Sequence, residues 1–273
     1  MKRLKKLLAV FIAIISIFIY SSCITVTQNN SGDDINAVNG LTTQGVIRAT
    51  FAVYSQQYNQ SLIPGVEPTK QTSLGSGVIY EAENVGTSDN PEYSYKLLTN
   101  NHVIYQDVTK FNTVDYFVKD CYGERINATV ISADPNYDLA VVTFKSETLY
   151  PDLDFTSANI TVGTKLISVG YPHKQINAVT LGKAIEYSGV NVTASAKESN
   201  IKFKALKHSA PIYSGSSGGA VLTYDYKICA INFGAVEGDN NEFEMACAVP
   251  VQKVKEYLSL NNLISTEKLG EVA

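Results

Sequence analysis

The run "IRATFAVY" at 47–54 sets Ile47, Ala49, Phe51 and Val53 against Arg48, Thr50 and Tyr54. Alternation with a period of two puts one face of an extended chain in a core and the other in solvent, so the run predicts a half-buried strand. Comparable runs follow at 77–81, 94–99, 113–118, 126–132, 139–144, 164–169, 201–206, 219–223, 228–233 and 244–249. Turn-forming residues separate them, as in "DCYGE" at 120–124 and "EGDNN" at 237–241. Many short strands with no alternating helices predict an all-β sandwich or barrel. One helical pattern stands out, in "PVQKVKEYLSLNN" at 250–262. Pro250 suits the first helical position there, and Val251, Val254, Tyr257 and Leu258 fall on one face.

The N-terminus follows a different pattern. Lys2, Arg3, Lys5 and Lys6 precede a 14-residue apolar stretch from Leu7 to Tyr20, then Ser21, Ser22 and Cys23. This is the layout of an export signal, and the apolar stretch is short for a membrane span. It resembles a bacterial lipoprotein signal, cut before a cysteine whose thiol is lipidated. The departure is Tyr20, where that signal usually carries Leu or another aliphatic. A plain secretion signal and an uncleaved anchor are the alternatives, and all three put the body of the chain outside the cytoplasm. The expected organisation is a signal peptide at 1–22, a flexible tether at 23–45, one β-rich unit at 46–260 and a short tail at 261–273. The tether is expected because "ITVTQNNSGDDINAVNGLTTQG" at 24–45 is rich in Asn, Gly, Ser, Thr and Asp.

Composition narrows the partners. With 273 residues and 45% hydrophobic content, the chain can bury one large core or two small ones. The formal charge is −4, and loss of 1–22 removes four positive charges and no negative ones, leaving −8. A nucleic-acid binder is expected to be basic, so that class is excluded. Besides Cys23 the chain has Cys121, Cys229 and Cys247. An odd number leaves at least one free thiol, and pairing of Cys229 with Cys247 stays open. No Cys-x-x-Cys occurs, so neither a metal nor a cofactor is expected.

Candidate chemistry centres on "YSGSSGGAV" at 213–221, where Ser217 sits among glycines. A flexible turn and a nucleophile needing close backbone approach both fit that composition. A serine nucleophile needs a base, usually histidine. The chain offers His102, His173 and His208. His102 ends a strand-like run in the polar turn "TNNH", a place from which an imidazole can reach substrate. His173 reads as a loop residue and His208 as a strand-end residue. A base in turn needs an acid to hold its tautomer. Asp138 stands immediately before the apolar run 139–142, where an unpaired carboxylate would cost several kcal/mol. It also fits a simple strand cap, and Asp134 is its neighbour and rival.

Taken together, "LGSGVIY", "LLTNNHVI", "ADPNYDLAVV" and "SAPIYSGSSGGAV", in that order, resemble the signatures of chymotrypsin-fold serine proteases of the HtrA (DegP-like) branch. "YKICAINFGAV" and "ACAVPVQKVKEYL" extend the likeness to about Leu260. The resemblance implies two six-stranded antiparallel β-barrels with a short C-terminal helix. It also implies His102 as general base, Asp138 as its orienting acid, Ser217 as nucleophile, and an oxyanion hole of the Gly215 and Ser217 N–H groups. Gly218 and Gly219 then leave room behind the nucleophile, and Ser216 replaces the family's usual Asn. Two features depart from the pattern: only 13 residues follow Leu260, where relatives carry PDZ domains, and no "IVGG"-type N-terminus is present.

The pocket follows from the same resemblance. Proteases that cut after Arg or Lys carry an acid six positions before the nucleophile; here that residue is Pro211, and no Asp or Glu lies between Asn200 and Ser217. No histidine follows Ser217, as glutamate-directed relatives require. Walls of Pro211, Ile212, Phe233, Gly234 and Cys247 are expected, welcoming small aliphatic side chains and no charge. The expected function is an extracytoplasmic serine endopeptidase acting on protein or peptide substrates, held at a bacterial membrane by lipid on Cys23. An inactive, protease-like binding lipoprotein is the alternative.

Overall fold

The computed structural model describes residues 31–59, 69–172, 177–237 and 242–269. The signal segment, Cys23 and His173 lie outside them.

Among the described residues, thirteen strands form two sheets. The first holds β1 (Thr50–Tyr58), β2 (Lys70–Asn84), β3 (Tyr93–Thr99), β4 (Thr113–Lys119), β5 (Arg125–Asn127), β6 (Thr129–Asp134) and β7 (Leu139–Ser146). Their order is β5-β4-β1-β2-β3-β7-β6, all antiparallel. The expected strand 126–132 is therefore two, broken at Ala128, whose N–H turns to Tyr116 O at 3.0 Å. Its first half pairs β4 at one sheet edge and its second half pairs β7 at the other. A sheet whose two edge strands are one residue apart in sequence must curl. This corrects the expected six-stranded first barrel to a seven-stranded curled half-barrel.

The second sheet is a closed six-stranded barrel, β10-β13-β12-β11-β8-β9. It comprises β8 (Lys165–Gly170), β9 (Ala178–Ser188), β10 (Ala205–His208), β11 (Ala220–Leu222), β12 (Ile228–Glu237) and β13 (Phe243–Pro250). Strand β9 has no counterpart among the expected runs. Its middle, Gly182-Lys183, breaks the apolar alternation, and only Val179 and Ala184 are buried on it. The run expected at 201–206 becomes strand only at 205–208, although Ile201 is buried. Cys229 and Cys247 stand on adjacent strands but out of register, Cys247 facing Gly234, and both are free thiols, as is Cys121.

Helices tie the two sheets together. The segment expected as a tether departs from expectation at its C-terminal half, where α1 (Gly32–Thr43) buries Ala37, Val38 and Leu41. Asp34 fixes it: the carboxylate accepts from the Ser31 N–H at 2.8 Å, Lys165 Nζ at 2.9 Å and Tyr224 Oη at 2.7 Å. Lys165 and the other partners hold that carboxyl well below the usual range. A single turn, α2 (Asn101–Ile104), follows β3. Helix α3 (Val251–Leu260) buries Val251, Val254, Tyr257 and Leu258, the face read from the sequence. Pro250 is its N-cap and the last residue of β13, one position earlier than expected. Tyr257 Oη donates to Ser132 Oγ of the first sheet at 2.8 Å, so the helix that follows the closed barrel is stapled to the half-barrel. A last turn, α4 (Thr266–Leu269), lies beyond it. No helix among the described residues is long and apolar enough to cross a membrane.

Candidate active site

Polar residues at the ends of apolar strands meet where the two sheets face each other. His102 sits in α2, directly after β3, and Asp138 in the turn leading to β7, at φ 49° with 1% exposure. A carboxylate buried that deeply must be hydrogen-bonded. Its Oδ2 lies 2.8 Å from His102 Nδ1 and its Oδ1 accepts the His102 main-chain N–H at 3.0 Å. The same residue thus fixes both the ring and the backbone of the histidine. Asn100 Nδ2 donates to the Asp138 carbonyl at 2.7 Å, clamping the turn to α2. Asn101 Nδ2 reaches the Lys197 and Glu198 carbonyls at 3.0 and 2.8 Å, so the second sheet's connection also holds α2. With Nδ1 engaged, His102 Nε2 has no protein partner among the described residues, and the side chain is 26% exposed.

Ser217 lies between β10 and β11, in a loop anchored to the first sheet through Ser76. Ser76 is fully buried: its N–H donates to Ser217 O at 2.7 Å and its Oγ to Gly215 O at 2.7 Å. Gly75 carries the approach. A Cβ there would stand 2.5 Å from Val103 Cγ2 and 2.9 Å from Ser217 O, so the His102 and Ser217 segments close on that one glycine. The Ser217 hydroxyl makes a long hydrogen bond to the Phe233 carbonyl at 3.4 Å and none to His102.

Gly215 adopts φ +100°, in the left-handed region that favours glycine, and a Cβ would meet Tyr171 O at 2.6 Å. Around it, the N–H groups of Ser216, Gly218 and Gly219 are taken by Tyr213 O, Asn232 O and Ser216 O. Those of Gly215 and Ser217 have no partner among the described residues. Two free N–H groups flanking a serine can receive a negatively charged oxygen.

A cavity of about 470 Å³ opens beside His102 and Asp138, walled in part by Phe233, Gly234 and Cys247. Pro211 and Ile212, expected on the same wall, are not among the residues around this cavity, and neither is Ser217; Ile212 is buried and the Pro211 carbonyl accepts from Thr180 Oγ1 at 2.8 Å. Lys207 and Asp138 also line this cavity, beside Phe233, Gly234 and Cys247. No local signal marks that lysine; only strand register turns it inward. Ser76, Asn100 and Asn101 lie within the motifs that carry the family resemblance, but nothing local marks their roles, since their partners are distant in sequence.

Both rival candidates are engaged elsewhere. Asp134 caps its own turn, accepting from the Asn136 N–H at 2.8 Å. His208 is fully buried with Nε2 2.9 Å from Asn232 Oδ1, and the Asn232 amide donates on to Ser168 Oγ at 2.8 Å. Burial pushes its pKa down from 6.5 to about 4, against the raising effect of the Asn232 bond. The unfolded chain therefore takes up this proton first as pH falls. The stability gained by keeping His208 neutral is complete above about pH 6.5 and is lost on the way down to about 4. A shift of that size corresponds to about 3 kcal/mol. Urea unfolding from pH 7 to 4 should lose stability by that order in the wild type, and the slope should flatten in His208→Gln. Equal slopes would refute the assignment.

The trypsin-like peptidase domain family matches residues 75–231. A probable periplasmic serine endoprotease DegP-like of Chlamydia pneumoniae is 33% identical over 155 residues, 56% of this chain and 29% of that protein. The serine protease PepD of Mycobacterium tuberculosis is 28% identical over 216 residues, 75% of this chain and 44% of that one. The periplasmic serine endoprotease DegP of Escherichia coli is 26% identical over 212 residues, 76% and 40% respectively. The chain spans less than half the length of each of these relatives. The crystal structure of the serine endoprotease from Yersinia pestis shares the fold, with a TM-score of 0.56 and 22% identity, over 86% of this chain and 68% of that one.

Proposed function

The chain belongs to the trypsin-like peptidase domain family, and from that premise we propose that it is a serine endopeptidase using His102, Asp138 and Ser217. One observation carries the reading: a buried carboxylate holds both Nδ1 and the main chain of a histidine, beside a serine flanked by two free N–H groups. His102 Nε2 takes the Ser217 proton as Oγ attacks the peptide carbonyl carbon. The carbonyl oxygen becomes an oxyanion that accepts from the Gly215 and Ser217 N–H groups, each donor worth roughly 3–4 kcal/mol in comparable sites. The imidazolium, stabilised by Asp138, returns its proton to the leaving amine. Water then repeats the sequence on the acyl-enzyme. Substrate has to draw the Ser217 hydroxyl from the Phe233 carbonyl to His102, which gives up only a 3.4 Å bond. Catalytic hydrogen bonds commonly tighten only once substrate is bound.

The substrate is an extended segment. Past Ile231, β12 pairs β13 on one side while β11 has ended on the other, so 233–236 present an edge unpaired among the described residues, beside the cavity. A strand can add there only if it is not already paired in its own fold, which selects unfolded or exposed chain. Phe233, Gly234 and Cys247 suit a small aliphatic residue on the acyl side of the cleaved bond. Discrimination among aliphatics is only about 1–3 kcal/mol, so the preference is loose.

The same reading places the enzyme outside the cytoplasm with lipid on Cys23, supported by the charge and apolar pattern of 1–23. Its DegP relatives are named periplasmic. One preparation tests both halves. Membrane-derived protein should partition into detergent, move to the aqueous phase as Cys23→Ala, and cut casein mainly after Val, Ala or Ile. A majority of cuts after Arg, Lys or Glu would overturn the pocket, and a wild-type protein that stays aqueous would overturn the anchor.

A further inference from the structure

Strand register lines up four residues across four strands of the closed barrel. Glu186 of β9 faces Lys207 of β10, Lys207 faces Cys247 of β13, and Cys247 faces Gly234 of β12. Residues directly opposite one another in an antiparallel sheet project to the same face. That face is the wall of the cavity beside His102, which Lys207, Cys247 and Gly234 all line. The last member of the row has no side chain, and a Cβ built on Gly234 would meet nothing within 4 Å. The row is therefore open at the substrate edge of β12, and the lysine behind it is reachable across Cys247 and Gly234.

Lys207 is held there rather than waving in solvent. Its side chain is 17% exposed, and Nζ lies 3.1 Å from Glu186 Oε1 on the outer side. Glu186 is itself 49% exposed and accepts from Ser188 Oγ at 2.7 Å, so it sits at the rim. An ammonium has three donors, and this ion pair uses one. Across the row, burial raises the Cys247 thiol pKa and the nearby Lys207 charge pulls it back, so that charge is felt on the cavity side. The other fixed charge on the wall, Asp138, is turned to His102 and 1% exposed. Among the described residues that line the cavity, an incoming carboxylate meets an under-used cation and no free anion.

We propose that Lys207 forms a subsite for a carboxylate, the side chain of a substrate Glu or Asp flanking the scissile bond. This rests on the peptidase reading above. A chain paired along 233–236 sends alternate side chains to the same face. A cavity of about 470 Å³ holds more than one of them, so an aliphatic residue at the cleaved bond and an acidic residue nearby are compatible.

Binding can be measured apart from turnover. In the Ser217→Ala protein, fluorescein-labelled peptides with Glu moved through each position around a Val-Ala core are compared with Gln counterparts by anisotropy at low salt. At one position Glu should bind about tenfold tighter than Gln, the scale of one charge-assisted contact. Lys207→Gln should erase that preference, Lys207→Arg should keep most of it, and Lys207→Glu should turn it towards Lys. Thermal melts confirm that each variant is folded. Absence of any Glu-over-Gln preference in the Ser217→Ala protein, or its survival in Lys207→Gln, would overturn the subsite. Hydrolysis of the same peptides by the wild type tests the peptidase reading separately: selective binding without cleavage sinks the peptidase and leaves the subsite standing.

Discussion

Replacing Ser217 by Ala should lower kcat for peptide hydrolysis by about 10⁶-fold while leaving the melting temperature within a few degrees of wild type. The size follows from losing the nucleophile, the small residue that survives coming from oxyanion donors and substrate binding. The fold should not notice, because the hydroxyl makes only a 3.4 Å bond to the Phe233 carbonyl. His102→Ala should lose about as much, and the double variant little more, since residues that act as one unit are not additive. Steady-state kinetics on a chromogenic peptide, with a fluorophosphonate label as a turnover-independent readout, measures all three. Near-normal turnover by either single variant would end the assignment. An inactive wild type that takes no label would favour the protease-like binding protein instead.

Asp138→Asn should cost about 10⁴-fold in kcat with almost no structural change. The reason lies in which oxygen does what. Oδ1 accepts the His102 main-chain N–H at 3.0 Å, so an asparagine places its carbonyl oxygen there. Its NH₂ then faces Nδ1, where the aspartate oxygen stood at 2.8 Å. Nδ1 has to accept, the ring proton moves to Nε2, and Nε2 can no longer take the serine proton. The prediction separates a tautomer-setting acid from a mere strand cap, for which the isosteric amide would be harmless. Loss of less than tenfold would return Asp138 to the capping role.

The residues proposed for the chemistry are those whose candidacy rests on near neighbours in sequence. Asp138 announces itself as a carboxylate against the apolar run 139–142, His102 as an imidazole closing a strand in a polar turn, and Ser217 as a hydroxyl among glycines. In each case the cost of burial or the demand on the backbone is local. The same holds for α3, whose four buried positions follow from helical periodicity alone. Where local patterning was weak, expectation failed. Gly182-Lys183 hid β9, and the polar stretch 31–45 read as tether, although Asp34 and a few apolar contacts dock it as helix.

The tertiary structure alone decided which side chains share the cavity. Pro211 and Ile212, near Ser217 in sequence, are not on its wall, whereas Lys207, ten positions away, is. The deciding quantity is register. A strand's side chains alternate faces, so sliding β10 by one residue against β13 would turn Lys207 away from the cavity and His208, now buried on the other face, towards it. That pairing is set by contacts between segments about 40 residues apart, through hydrogen bonds every residue can make. The local sequence of β10 therefore carries the lysine, but not the direction in which it points.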